Sequence, residues 1–288
     1  MSEKILIAGD STIDLNLELI EKYGVKTLPL GVTLGEKDYT DGVDIDPDMI
    51  YAHYEKTGEL PKTAAVNIVA FEEFFEKYTK EGYSILLFTI SSEMSSTFSN
   101  ARLAAEDYEN VFVVDTRNLS TGGGLLAVTA ARMAEQGMEA RAIYEECLRL
   151  TDHVDASFVI DSLEFLHKGG RCSALKAGAA KALGLKPCIR VVGGKMGPGK
   201  NYKGKFASVL PQYIADRLGD GSDVEIDQVF VTHAGCEQEI IDSCVNKVKE
   251  ILPDAKVDIT RAGCTISSHC GRNTLGVLFI RKTPLKID

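Results

Sequence analysis

Short apolar runs alternate with amphipathic segments along the first half of the chain. "KILIAGD" (4–10), "YSILLFTI" (83–90) and "NVFVVDT" (110–116) are brief, apolar and rich in β-forming residues, which predicts strands. "VKTLPLGVTL" (25–34) predicts another. Between them, apolar residues recur at helical spacing. "LNLELIEKYG" (15–24) predicts a helix stopped by Gly24. "DPDMIYAHYEKTG" (46–58) predicts one capped by Asp46 with Pro47 in its first position. Four more helices follow from 67–82, 96–108, 123–137 and 139–153. Strand–helix alternation of this kind predicts a parallel, doubly wound sheet in an N-terminal α/β domain.

The pattern changes in the second half. "ASFVIDS" (156–162) reads as a strand and "SLEFLHKGG" (162–170) as a short helix with a glycine stop. "SALKAGAAKALG" (173–184) reads as a helix of small residues. "CIRVVGGKMGPGK" (188–200) reads as a strand and hairpin whose glycines supply positive φ. A helix over 207–219 is broken or begun at Pro211. Strands are expected at 227–235, 255–262 and 274–282, with a long helix at 237–251. This order predicts a C-terminal α+β domain, so the expected units are 1–160 and 161–288.

Charge and cysteines narrow the classes. The net charge of −10 argues against general binding to nucleic acid or anionic membranes, which need a basic face. No run of about 18 apolar residues exists, so no membrane insertion is expected. "MSEKILIAGDST" lacks the apolar core of a signal peptide, and a cytoplasmic address is the expectation. The seven cysteines all lie in the second half, which suggests free thiols in a reducing compartment. Cys264, His269 and Cys270 have ligand chemistry. His269 and Cys270, however, are adjacent in what reads as the lead-in to a strand, where their side chains diverge. No metal or cofactor is expected.

Two glycine-rich stretches imitate nucleotide motifs. "GKMGPGKN" (194–201) has Asn201 where a P-loop needs Ser or Thr, and no helix begins there, so a hairpin is the reading. "GGGLLA" (122–127) fits a dinucleotide fingerprint only formally, and close helix–sheet packing explains its glycines. No G-x-S-x-G elbow, H-E-x-x-H or EF-hand loop occurs.

Other stretches suggest an anion. "SSEMSSTFSNA" (91–101) places Ser91, Ser92, Ser95, Ser96 and Thr97 at the C-terminal end of a parallel strand, where ligands of open α/β sheets bind. Helix capping needs one hydroxyl, not five. Without a base beside it, Ser95 reads as a hydrogen-bond donor to an anion rather than a nucleophile. "HKGGRCSA" (167–174) puts Arg171 behind two glycines and ahead of a helix start. His269 sits among small residues in "SSHCGRNTLG" (267–276).

Along almost the whole chain these motifs resemble the DegV family. They are "DSTIDL" (10–15), "LPLGVTLGEKDYTDGVDI" (28–45), "ISSEMSSTFSNA" (90–101), "VVDTRNLSTGGG" (113–124), "LEFLHKGGRCSA" (163–174), "LGLKPCIRVVGGKMGP" (183–198) and "SSHCGRNTLG". The resemblance implies a lipid-binding subunit of a bacterial fatty acid kinase. Such a subunit holds one long-chain fatty acid, with the carboxylate between the domains and the acyl chain inside the second. It presents the carboxylate to a separate kinase subunit and has no catalytic centre of its own. By motif position, Thr63, Ser95, Arg171 and His269 fall on the carboxylate site. The chain departs from the family in four places. "TAAV" stands for T-S-Q-P, Ser96 replaces a glycine, and "HCGRN" stands for H-x-G-P-G, bringing Arg272 and Asn273 near the head group. Tyr202 stands where an arginine is common, in the segment implicated in kinase docking. The alternative function is a stand-alone enzyme acting on a phosphorylated or acylated small molecule through Ser95 and His269.

Overall fold

Apolar strands need both faces covered, and here three sheets and their helices provide the cover. The structure is a computed structural model that describes residues 3–170 and 184–285. The first half runs β1 (Lys4–Asp10), α1 (Leu17–Tyr23), β2 (Lys26–Leu28), β3 (Gly31–Leu34), β4 (Lys37–Thr40), α2 (Pro47–Thr57), β5 (Lys62–Ala64), α3 (Ile68–Lys80), β6 (Tyr83–Thr89), α4 (Thr97–Ala104), β7 (Val111–Asp115), α5 (Thr121–Glu135) and α6 (Ala140–Leu150). The second runs β8 (Val154–Ile160), α7 (Glu164–Lys168), β9 (Leu185–Val192), β10 (Lys195–Lys203), α8 (Phe206–Leu218), β11 (Val224–Ala234), α9 (Gln238–Ile251), β12 (Val257–Arg261), α10 (Cys264–Cys270) and β13 (Thr274–Arg281).

The first sheet has the order β2-β1-β6-β7 and is parallel throughout. Helices α3 and α4 cover one face through Phe71, Phe75 and Ala101, and α5 and α6 cover the other. This is the doubly wound arrangement that the alternating pattern predicts. A separate six-stranded sheet has the order β10-β9-β8-β13-β11-β12, antiparallel except for β11 and β12. Helix α5 lies between the two sheets, touching β1 and β6 on one side and β8, β11 and β13 on the other. Helices α8 and α9 close the outer face of the second sheet. The expected boundary at 160/161 leaves β8 with the first unit, yet β8 pairs with β13 and β9 in the second sheet.

Several local expectations change. The strand read across 25–34 is two strands in different sheets, because Pro29 offers no N–H to continue the ladder. β3 pairs with β4 and β5 in a small antiparallel sheet that the sequence did not announce. The helix over Pro211 is unbroken from Phe206 to Leu218, although the proline lies past the first turn and removes one backbone bond. "CTISSHC" is helix α10, not a strand lead-in, and the small sheet and α2 bury Cys264 at its start.

Candidate functional site

Helix α10 carries β-branched and hydroxyl residues that give it little intrinsic stability. Its first turn is held instead from the other half of the molecule. The carboxylate of Asp41 accepts from the backbone N–H groups of Cys264 (2.8 Å) and Thr265 (3.0 Å) and from the Thr265 hydroxyl (2.6 Å). Asp14 accepts from the N–H of Gly263 at 2.8 Å and from the Ser120 hydroxyl. Ser120 sits at φ +52, a left-handed conformation that a serine adopts only under constraint. Burial drives Asp14 well above the ordinary carboxylate range, against the pull of its donors. By accepting from the first N–H groups of the helix, Asp14 and Asp41 fix it while bridging the halves.

The C-terminal turn of α10 presents His269. Its Nε2 shares a hydrogen bond of 2.9 Å with Thr63 Oγ1 on β5. The other edge of the ring meets Gly169, where an added Cβ would lie 2.8 Å from Nδ1. Gly170 is different: it has φ +69 and open space around it. The glycine pair expected to approach a ligand therefore divides its work. Gly169 lets the imidazole in, and Gly170 turns the chain.

The hydroxyl-rich loop is ordered by Asp10. Its carboxylate accepts from Ile90 N at 2.7 Å and from Thr12 N at 2.9 Å, and burial still raises its pKa to about 6. Ser91 is fully buried and donates to the carbonyl of Gly194 at 2.7 Å, while the Arg117 guanidinium donates to Gly193. These bonds dock the β9–β10 hairpin on the loop. A Cβ at Gly194 would fall 2.8 Å from both Ser91 Oγ and Arg117 Cζ, so the hairpin glycine serves close approach as well as its φ of +83. Ser95 Oγ shares a 2.9 Å bond with Thr97 Oγ1 and accepts from Thr97 N at 3.2 Å.

Thr63, Ser95 and His269 all line one cavity of about 210 Å³. Its remaining walls are mostly apolar, with Ile90 and Leu119 from the first half and Phe158, Leu166 and Ile266 from the second. Phe158 and Ile266 also line a smaller void of about 40 Å³ that reaches Gly276 and Leu278. Such a space, apolar with a few polar groups at one place, suits an amphiphile with an anionic end. Arg171 lies outside the described residues, as does nearly all of the small-residue stretch 173–184. Ser96 is exposed at the cavity edge. Arg272 turns away from the cavity lining, its guanidinium 4.8 Å from the Tyr51 ring centre. Tyr202 is buried and donates to Asp216 at 2.9 Å.

An enzyme using Ser95 and His269 needs the serine on the imidazole. Here the Ser95 hydroxyl engages Thr97, and His269 Nε2 engages Thr63. Sequence reasoning missed Asp10, Asp14 and Asp41, although the first two lie in "DSTIDL" and the third in "LPLGVTLGEKDYTDGVDI".

The family model described as "Uncharacterised protein, DegV family" matches residues 4–282. A DegV domain-containing protein of Clostridium perfringens is 31% identical over 286 residues, covering 97% of this chain and 99% of its own. Among solved structures, a DegV family protein from Thermus thermophilus described for its fatty acid binding gives a TM-score of 0.84 at 26% identity, over 96% of this chain and 99% of that one. A stearic-acid-binding protein from Eubacterium ventriosum gives 0.83 at 28% identity, over 96% and 98%.

Proposed function

The chain belongs to the DegV family, and from that premise we propose that it is a carrier of one long-chain fatty acid. The observation that carries the reading is the placing of Thr63, Ser95 and His269 on a cavity whose other walls are mostly apolar. The carboxylate is held by the Thr63 and Ser95 hydroxyls and by a cation, His269 or Arg171. The acyl chain runs inward past Phe158 and Ile266 into the second half. Each methylene taken from water contributes about 0.8 kcal/mol, so a tail of fifteen carbons gains on the order of 12 kcal/mol before ordering costs. The charged end needs hydrogen bonds to be buried at all.

The carrier presents this carboxylate to a separate kinase subunit, which forms the acyl phosphate, and the chain itself performs no chemistry. Its place of work is the cytoplasm, in keeping with the six cysteines among the described residues, all of them free thiols. No helix among the described residues is long and apolar enough to cross a membrane. Native mass spectrometry of protein expressed in bacteria tests the cargo. One fatty acid per chain is expected, and a ligand-free spectrum with no uptake of added palmitate would refute it. Magnesium-dependent acyl-phosphate formation by the purified chain alone would refute the division of labour with a kinase.

A further inference from the structure

The Thr63–His269 pair has space on two sides. One is the mostly apolar cavity. The other is a cleft of about 340 Å³ that the same two residues line together with Lys62, Lys168 and Gly169. We propose that this cleft receives the phosphoryl group of an acyl phosphate, with Lys62 and Lys168 as its counter-charges. The inference rests on the fatty-acid reading above.

The chemistry sets the need. A carboxylate oxygen bonds to the γ-phosphorus of ATP held by the kinase. The bond from that phosphorus to the oxygen bridging it to the β-phosphate breaks, and ADP leaves with the electron pair. No proton moves. The head group thereby gains three oxygens and becomes a dianion where it was a monoanion. A dianion cannot enter the apolar cavity without partners, because an unpaired charge there has lost its water. It must lie on the other side of Thr63 and His269, and the cations are there. Lys62 neighbours Thr63 on β5. Lys168 Nζ is 2.8 Å from Glu164 Oε1 and 5.8 Å from the Tyr54 ring centre, so it is already held at the cleft. A phosphoryl dianion competes with that single carboxylate for the ammonium. Both lysines are exposed, which leaves the cleft open to an incoming γ-phosphate.

The test is titration with palmitate and with 2-oxoheptadecylphosphonate, a stable analogue that keeps the acyl carbonyl and puts a phosphonate where the phosphoryl group would be. Both are titrated into wild type and into the Lys62→Gln/Lys168→Gln double variant at low salt. Phosphonate affinity should fall about tenfold in the variant, the scale of two exposed charge contacts, with palmitate changed less than about threefold. Equal losses for the two ligands, or no loss for the phosphonate, overturn the proposal. If wild type fails to bind palmitate at all, the fatty-acid reading itself falls, and the subsite with it.

Discussion

Gly169→Ala and Gly170→Ala together test the proposed head-group site and separate binding from folding. Gly169 has φ −75 and ψ −7, a right-handed conformation that alanine adopts without strain. The added methyl would nevertheless lie 2.8 Å from His269 Nδ1 and 2.9 Å from the Phe165 carbonyl oxygen. To regain ordinary contact near 3.5 Å, the imidazole must retreat by roughly 0.7 Å. The 2.9 Å bond to Thr63 does not survive a retreat of that size with good geometry. A carboxylate then loses one aligned partner, a hydrogen bond to a charged group worth roughly 1.5–3 kcal/mol, or about ten- to a hundredfold in affinity. Stability should fall by about 1 kcal/mol, because the methyl presses on the Phe165 carbonyl as well as on the imidazole, which outweighs the preference for alanine over glycine in a helical turn. Gly170→Ala should cost stability and leave affinity alone. Its φ of +69 makes alanine costly by about 1–2 kcal/mol, while nothing within 4 Å connects it to His269. Palmitate titration and thermal melting of both variants give the assay. The reasoning is refuted if Gly169→Ala binds palmitate like wild type, or if Gly170→Ala loses the more affinity.

Three further outcomes follow from the same contacts. Ser95→Ala should weaken palmitate binding about ten- to a hundredfold without abolishing it, and should impair phosphorylation by a kinase more than binding, since reaction demands one orientation; the exposed Ser99 is the control, because Ser91 holds the β9–β10 hairpin, and equal binding and phosphorylation for wild type and Ser95→Ala refute it. Asp41→Ala strands the buried donors of Cys264 and Thr265 and should cost at least about 3 kcal/mol in urea unfolding, with Asp41→Asn in between; a loss under about 1 kcal/mol refutes the helix-anchoring role. Asp10 has a pKa of about 6 in the folded chain, so the native state binds its proton more tightly than the unfolded one, and its contribution, full below about pH 4, is lost as pH rises through 6. Between pH 4 and pH 7 the stability of wild type relative to Asp10→Asn should therefore fall by roughly 2 kcal/mol, and a constant difference in urea unfolding refutes it.

Elements that carry their own signals were legible. β6 is a continuous apolar run, and α2 has its Asp46 cap and its leading proline, so neither depends on distant residues to be recognised. Elements made by tertiary partners were not. β5 is three residues of "KTA" whose strand character comes from pairing with β3. Helix α10 reads locally as β-forming, and its N-terminal acceptors lie more than 220 positions away at Asp14 and Asp41. The candidate site divides in the same way. The position of the hydroxyl cluster at a strand end was visible, but nothing local separates Ser91, which serves the hairpin, from Ser95, which lines the cavity. Thr63 became a candidate through the resemblance alone, and His269 through its small neighbours and the resemblance together.

The origin of each residue proposed for the head group explains why the candidate site needs the three buried aspartates. Thr63 comes from the small sheet, Ser95 from the loop after β6, and His269 from a helix of the second half. No single element orients any two of them. Asp10 fixes the β6 loop against β1, while Asp14 and Asp41 fix α10 against the first half. The desolvation that raises Asp10 and Asp14 is the cost of that arrangement. A site assembled on one helix would not carry it. It would also lack a cavity between two sheets, and for an amphiphile the polar anchors must stand at the mouth of such a space, where elements from both sides meet.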